Sequence, residues 1–527
     1  MAIGTSAVNA QTEVITGEDV AVTDTESGKV RGFIQNGIYT YKGIPYATAE
    51  RFMLAKKVEP WDGVRSSTMY GPVAPLMTPT TQVQDEPEFV FDHDWGYTNE
   101  DCLRINVWTP SINDNKKRPV LFWIHGGGFT TGSSQELPSY DGENLSAKGD
   151  VVVVSINHRL NILGFLDLSA YGDKYKESAN NSMLDIVAAL DWVKTNISNF
   201  GGDPNNVAIF GQSGGGAKVN TLMAMPKAEG LFHKAINQSG SFRGSLSKKE
   251  TTRAIAAEVL NQLSLSEDQV DSLQTIPFEK LSAAGTVALQ KVAEQMRAKG
   301  VVPVGLSLNW GPSMDGNVLP YDLMSDEAFE LSKDIPLLLG TTKNEFTPFM
   351  NGRFFNASEE EVMTHIEETY KDKADDYIVA VKKAYPNDTR PSDLLDIDTT
   401  FRPGAVFQAN KKSQLEDGAP VYMYLFTWQS PVFDGKYKAL HCMELPFVFD
   451  NIERARQMTG GGQEAHILAD KMSSAWINFA KTGNPNHDGL PQWPAYNPEN
   501  TSTMFFDTSC EVKPQHDKAF LNLMFSM

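Results

Sequence analysis

The stretch Val207-Ala208-Ile209-Phe210-Gly211-Gln212-Ser213-Gly214-Gly215-Gly216 decides the reading of this chain. Its first four residues form the short apolar run that a buried strand requires. Gly-x-Ser-x-Gly follows, and Ala217 to Met225 continues as a helix. A serine on a sharp turn between strand and helix is held in a strained backbone conformation with its hydroxyl pushed outward. Glycines on either side avoid collision with the strand and helix that close around it. The helix start behind the serine presents unpaired backbone N–H groups to any negative charge that develops there. The same five-residue pattern also occurs as a plain glycine-rich turn, so its weight rests on its flanks and on partners elsewhere in the chain.

A chain of 527 residues has room for two or three domains, although one α/β unit with insertions also reaches this length. Hydrophobic residues make up 41%, with 28 Phe, 16 Tyr and 9 Trp, enough for a large core. The formal net charge of −20 argues against nucleic acid and anionic membrane surfaces as partners. No apolar run has the length of a membrane span. Cys102, Cys442 and Cys510 are too few for a disulfide framework and have no histidine at ligand spacing. Each reads as a buried, inert thiol, and no metal site is indicated.

At the N-terminus, Ala2 to Ala10 (AIGTSAVNA) before Gln11 has the small residues of a signal-peptide cleavage site, with Val8 and Ala10 in place, but no basic region precedes it. As a signal remnant it implies a secreted or periplasmic protein; as a plain tail, a cytoplasmic one. Residues 1–22 are read as a loose tail.

From there the chain shows no internal repeat. Thr23 to Tyr46 reads as short strands with turns, and Thr78 to Asp94 as a polar, acidic surface loop. Leu103 to Trp108, Val120 to Ile124, Val151 to Ile156, Ala235 to Gln238, Ile335 to Leu339 and Val421 to Trp428 are strands. Met183 to Ile197 carries a helical apolar face at Met183, Val187, Leu190 and Ile197. Strands alternating with helices predict a mostly parallel sheet covered on both faces. Lys248 to Gly300 and Ser358 to Asp396 break this rhythm. They read as helical insertions, either a cap over the carboxyl ends of the strands or plain surface helices. The expected organisation is a single α/β domain over 23–527 with insertions near 248–300 and 358–396.

Strand Val120–Ile124 runs into His125-Gly126-Gly127-Gly128-Phe129. Successive glycines after a buried strand free backbone N–H groups to point into a cavity, as a tetrahedral intermediate requires. With this loop in place, the chain resembles the type B carboxylesterase and cholinesterase family of α/β-hydrolases. Glu100-Asp101-Cys102-Leu103-Arg104-Ile105-Asn106-Val107 is similar to one family signature, and Asn199-Phe200-Gly201-Gly202-Asp203-Pro204 leading into Ser213 to the other. Gly43-Ile44-Pro45-Tyr46-Ala47, Asn157-His158-Arg159-Leu160, Gln238-Ser239-Gly240-Ser241 and Phe479-Ala480-Lys481-Thr482-Gly483-Asn484-Pro485-Asn486 also match. The likeness spans about residues 23 to 505.

In this fold the order is nucleophile, acid, histidine. Glu345 lies just past strand Ile335–Leu339, in Gly340-Thr341-Thr342-Lys343-Asn344-Glu345, and matches the family's glycine-to-glutamate spacing; Phe346 follows where the family often has glycine. The rival acid, Asp315, sits in a turn-like Asp315-Gly316 pair. His441, in Ala439-Leu440-His441-Cys442-Met443-Glu444-Leu445-Pro446-Phe447, has the context of the family's catalytic histidine. His125 belongs to the glycine loop and His158 reads as packed. His93, His365, His487 and His516 lie in surface-like sequence.

The resemblance implies Ser213 as nucleophile, His441 as general base and Glu345 as its orienting acid, with Gly127, Gly128 and Gly214 donating N–H groups to the oxyanion. The family usually has alanine where this chain has Gly214. A small-molecule carboxylic ester is the implied substrate, and no cofactor is implied. Phe129, Trp310, Phe346, Phe349 and Phe447 are candidates for an apolar pocket, although each also suits a core. The family's N-terminal disulfide would need a cysteine near Val73 to Met77, and none is there, so Cys102 is expected to be free. Ion pairs Arg51–Glu100 and Arg159–Asp185 are implied as loop fasteners. Amide or lactone hydrolysis on the same triad, or a non-catalytic binding protein on the same fold, are the rival readings.

Overall fold

The computed structural model describes residues 13–76, 85–241, 246–301 and 307–527. A central sheet of twelve strands runs through them: β1 (Val14–Ile15), β2 (Phe33–Gln35), β3 (Ile38–Pro45), β4 (Arg104–Thr109), β5 (Arg118–Ile124), β6 (Val152–Asn157), β7 (Gly202–Gln212), β8 (Lys234–Gln238), β9 (Leu337–Thr342), β10 (Val421–Phe426), β11 (Thr503–Phe506) and β12 (Glu511–Lys513). Their spatial order is β1-β2-β3-β4-β6-β5-β7-β8-β9-β10-β11-β12. From β6 to β11 neighbours run parallel, and antiparallel pairs close both ends. This is the mostly parallel, helix-covered sheet of the α/β-hydrolase fold expected from the sequence.

The apolar runs make sense strand by strand. Successive side chains point to opposite faces, so a strand buried on both sides must be apolar throughout. Val120, Phe122 and Ile124 of β5 enter one core while Leu121 and Trp123 enter the other. In β7, Val207 and Ile209 divide in the same way from Ala208 and Phe210. Helix Asn181–Asn196 covers the first face with Met183, Ile186, Leu190 and Val193; helix Gln463–Thr482 covers the second with Leu468, Met472, Trp476 and Phe479.

Three sequence expectations need correction or lie outside the described residues. Residues 13–22 are not loose: Val14–Ile15 pairs antiparallel with Phe33–Gln35 and adds an edge strand. The acidic segment read as a surface loop contains the helix Asp85–Phe91, whose first turn carries Asp85, Glu86 and Glu88, where a helix N-terminus favours negative charge. The signal-peptide reading of Ala2 to Ala10 lies outside the described residues.

The two insertions form helices Lys249–Gln262 and Phe278–Ala298, and helices Glu359–Tyr370 and Ala374–Ala384. The second insertion reaches the loop after β9, where Asn344 Nδ2 donates to the Asp396 carbonyl at 2.6 Å. Both expected ion pairs form. Arg159 Nη2 lies 2.6 Å from Asp185 Oδ1, and Arg159 Nη1 donates to the Met53 carbonyl at 2.8 Å. Arg51 pairs with both oxygens of Glu100 and donates to the Leu273 carbonyl at 2.9 Å. Breaking a buried pair such as Arg159–Asp185 by removing one partner typically costs about 3–5 kcal/mol.

Cys102, Cys442 and Cys510 are all free thiols. Burial pushes the Cys102 thiol up to about 12, so it stays protonated and unreactive. Thiol titration of the denatured, unreduced protein is expected to count all three as free. A count of one would contradict the structure.

Candidate active site

The strand–helix turn after β7 brings Ser213 to the carboxyl edge of the sheet. Its backbone angles, φ 56° and ψ −124°, lie in a region that costs a non-glycine residue about 1–3 kcal/mol. Ser213 N–H donates to the Gln238 carbonyl at 2.8 Å and its own carbonyl accepts from Ala217 N–H at 2.9 Å, so the turn is fastened on both sides. Crowding explains the glycines. A Cβ on Gly211 would stand 2.7 Å from the Ile124 carbonyl oxygen, and one on Gly216 would stand 2.9 Å from Gly240 Cα.

The glycine loop after β5 faces this turn. Gly127 and Gly128 have φ of 76° and 60°, left-handed values that side chains rarely adopt. Gly127's carbonyl accepts from Thr131 N–H at 3.1 Å, while the N–H groups of Gly127 and Gly128 have no hydrogen-bond partner among the described residues. A Cβ on Gly214 would collide with the backbone of Gly128. The loop thus occupies the space that an alanine after the serine would fill, and the departure at Gly214 is matched by the position of the loop.

Glu345 follows β9 directly and is held at a positive φ of 43°. Its segment pairs with the one that carries the histidine: His441 N–H donates to the Glu345 carbonyl at 3.0 Å, and Ala439 N–H donates to Asn344 Oδ1 at 3.0 Å. Glu345 Oε2 is hydrogen-bonded to His441 Nδ1. Its Oε1 accepts from Ser239 Oγ at 2.7 Å and from Thr342 N–H at 2.9 Å, which satisfies both oxygens of a buried carboxylate. The His441 ring is tilted against Phe346 and Phe401, with centroids at 4.0 and 5.2 Å. Its Nε2 is 3.2 Å from the Gln212 amide nitrogen, and the Gln212 oxygen accepts from the Cys442 thiol at 3.2 Å. Among the described residues, the Nε2 contact is therefore to Gln212 rather than to Ser213 Oγ.

Two more carboxyls are buried beside Glu345. Burial, reinforced by the Glu345 charge, pushes both Asp398 and Glu444 up to about 7. Asp398 accepts from the N–H groups of Thr400, Phe401 and Arg402, and Glu444 accepts from Gln238 Nε2 at 3.1 Å. Asp315, the rival acid, does turn work instead: its Oδ1 accepts from Asn317, Val318 and Leu319 N–H, and its Oδ2 from Asn180 Nδ2.

Ser213 and His441 open on one cavity of about 320 Å³, with Gly127 and Gly128 on its wall. Of the five aromatic candidates, Phe346 and Phe349 line it; Phe129, Trp310 and Phe447 do not. Phe447 packs on Phe426 and Trp428, centroids 5.1 and 5.0 Å away, within the core. Trp310 is buried against Gly285 of the helix Phe278–Ala298. Phe129 turns away to meet Phe165 edge-on at 5.6 Å.

The sequence reading missed the opposite wall. Phe91, His93 and Trp95 line the cavity, with His93 stacked on Phe91 and Trp95 at 5.4 and 4.4 Å. The His93 ring, read as surface, is half-buried, with its Nδ1 2.9 Å from Glu88 Oε2. Phe91 ends the helix Asp85–Phe91 and Asp92 turns at a left-handed φ of 52°, so no simple period marks these three rings in the sequence, where they sit among acids. His516, also read as surface, is buried, and burial pushes it down to about 3. His158, read as packed, stacks on His125 at 4.9 Å. A fully buried lysine, Lys218, sits behind the glycine loop and was not singled out.

A strained serine, a histidine bonded to a buried carboxylate, and a loop of unpaired N–H groups around one cavity together fit acyl transfer. The carboxylesterase family model matches residues 19–523. The chain is 36% identical to the para-nitrobenzyl esterase of Bacillus subtilis (strain 168) over 516 residues, covering 94% of this chain and 97% of that protein. It is 32% identical to the phenmedipham hydrolase of Pseudarthrobacter oxydans, covering 94% and 98% of the two chains. Among solved structures, an esterase from Clostridium hathewayi described as able to hydrolyse aliphatic aromatic polyesters superposes with a TM-score of 0.83 at 38% identity, covering 98% and 99%. The chain belongs to the carboxylesterase family of α/β-hydrolases and is a serine-dependent hydrolase of carboxylic esters.

Proposed function

We propose that Ser213, His441 and Glu345 carry the reaction and that Gly127, Gly128 and Gly214 hold the oxyanion. The observation that supports this most is the bond from Glu345 to His441 Nδ1, on a histidine that shares its cavity with Ser213. The carboxylate keeps the proton on Nδ1 and leaves Nε2 as the acceptor. With an ester bound, Nε2 turns from the Gln212 amide to Ser213 Oγ; such contacts tighten when substrate is present. Ser213 Oγ attacks the carbonyl carbon as His441 takes its proton, and Glu345 stabilises the imidazolium. The negative charge on the former carbonyl oxygen is met by the three N–H groups. His441 then gives its proton to the leaving alcohol. Water, deprotonated by the same histidine, attacks the acyl-enzyme, and Ser213 leaves with its proton restored and the acid released.

The substrates on this reading are small to medium, mostly apolar esters. Phe91, Trp95, Phe346 and Phe349 give the cavity flat apolar walls suited to an aromatic ring on the acyl or alcohol side. The similar para-nitrobenzyl esterase and the similar esterase that hydrolyses aliphatic aromatic polyesters support the same reading. On this reading the insertions at 248–300 and 358–396 act as the cap, and the first carries the support: the helix Phe278–Ala298 lines a second cavity that shares Trp95 with the first. A series of p-nitrophenyl esters tests the size limit. kcat/KM is expected to rise from acetate to butyrate or hexanoate and to fall at least about tenfold by dodecanoate, because a methylene that fits contributes about 1–3 kcal/mol and one that does not is excluded. A maximum at dodecanoate or beyond would contradict a cavity of this size.

A further inference from the structure

Lys218 stands one turn into the helix Gly214–Met223 and is fully buried. It makes no ion pair among the described residues. Its ammonium donates instead to two backbone carbonyls of the glycine loop, His125 at 3.0 Å and Gly126 at 3.4 Å. The Phe129 ring lies 5.8 Å away, and Glu136 is the carboxyl whose charge acts on it. Burial drives His125 and His158, on the same side of the loop, well below their ordinary range, so neither competes as a cation. Burial pushes Lys218 itself down to about 7 and Glu136 up to about 7. A buried lysine is costly unless its head group is used, and here that head group meets the loop that faces Ser213.

The Gly126 carbonyl belongs to the same peptide unit as the Gly127 N–H. In a planar trans peptide these two bonds point in opposite directions. The Gly126 carbonyl is held by Lys218 Nζ at 3.4 Å together with His125 Nδ1 at 3.1 Å, and the pull toward Lys218 directs the Gly127 N–H forward, away from the lysine. The positive charge of the ammonium beside the carbonyl oxygen also polarises the peptide and makes its N–H a stronger donor. The neighbouring donor is set by a parallel device: the Gly127 carbonyl accepts from Thr131 N–H, which orients the Gly128 N–H.

We propose that Lys218 is a positioning residue for ester hydrolysis, aiming and polarising the Gly127 N–H through the Gly126 carbonyl so that it meets the oxyanion. This rests on the reading in which Ser213 is the nucleophile and Gly127 a donor. Lys218→Met keeps the length of the side chain and removes the charge. Lys218→Met/Glu136→Gln removes both buried charges and serves where the single variant does not fold. Circular dichroism checks the fold. kcat on p-nitrophenyl butyrate is expected to fall about tenfold to a hundredfold, below the loss typical of deleting a donor outright, with KM within about threefold. An aryl trifluoromethyl ketone, which Ser213 Oγ attacks to form a hemiketal oxyanion, should bind the variant more weakly by the same factor as kcat falls. A mere packing defect would not tie these two numbers together. A folded variant with kcat within about twofold of wild type, or with unchanged ketone affinity, would overturn the proposal, as would failure of both variants to fold. If the wild type itself does not bind the ketone, it is the assignment of Ser213 that fails.

Discussion

Ser213→Ala is expected to leave the circular dichroism spectrum unchanged and to lower turnover of p-nitrophenyl butyrate by about 10⁶-fold, the usual loss for a triad nucleophile. The two halves of this expectation have separate causes. The serine side chain adds little to the fold, because the elbow is held by backbone bonds to Gln238 and Ala217 and by glycines that permit close approach of strand and helix. Alanine also relaxes nothing that the fold depends on, since the positive φ at this position is imposed by its surroundings. The hydroxyl oxygen, by contrast, is the atom that forms the covalent intermediate in the proposed mechanism. A folded Ser213→Ala protein that kept more than about a tenth of wild-type activity would remove it from the mechanism.

Glu345→Gln is expected to lower kcat by about 10⁴-fold while preserving shape. The amide loses the charge that balances the imidazolium and presents an N–H₂ to Nδ1, which favours the wrong tautomer. Both oxygens of Glu345 are engaged, by His441 on one side and by Ser239 and Thr342 on the other, so the replacement also disturbs a fully bonded group. Asp315→Asn is the control. Asp315 accepts three N–H bonds within its own turn, and its loss should show in thermal stability rather than in the chemical step. If Asp315→Asn slowed the reaction as much as Glu345→Gln, the assignment of the acid would be wrong.

The parts of this arrangement that were legible from sequence are those where backbone geometry restricts the choice of residue. Val207 to Phe210 had to be apolar because both faces of β7 are covered, and Gly211, Gly215 and Gly216 had to be small because backbone approaches them closely. The position of Glu345 followed from the end of β9. What stayed hidden depends on tertiary contact. Val14–Ile15 is too short to show a period, and its strand exists only because Phe33–Gln35 offers an edge. Phe91, His93 and Trp95 sit among acids that read as surface, yet they form a wall of the cavity. Trp310 and Phe447 stand near motifs in the chain, but sequence proximity does not say which face a ring takes, and both went to the core. Lys218 was missed for a related reason: lysine is almost never buried, and nothing local announces one that donates to carbonyls of a distant loop.

Covalent labelling tests the central claim most directly. The wild-type protein is treated with an excess of an alkyl fluorophosphonate, its intact mass is measured, and the modified residue is mapped by peptide sequencing. The account predicts one adduct per chain, on Ser213, appearing in step with loss of ester hydrolysis, and no adduct on the Ser213→Ala variant. Inactivation with the label on another residue, or complete labelling of Ser213 with hydrolysis undiminished, would contradict it.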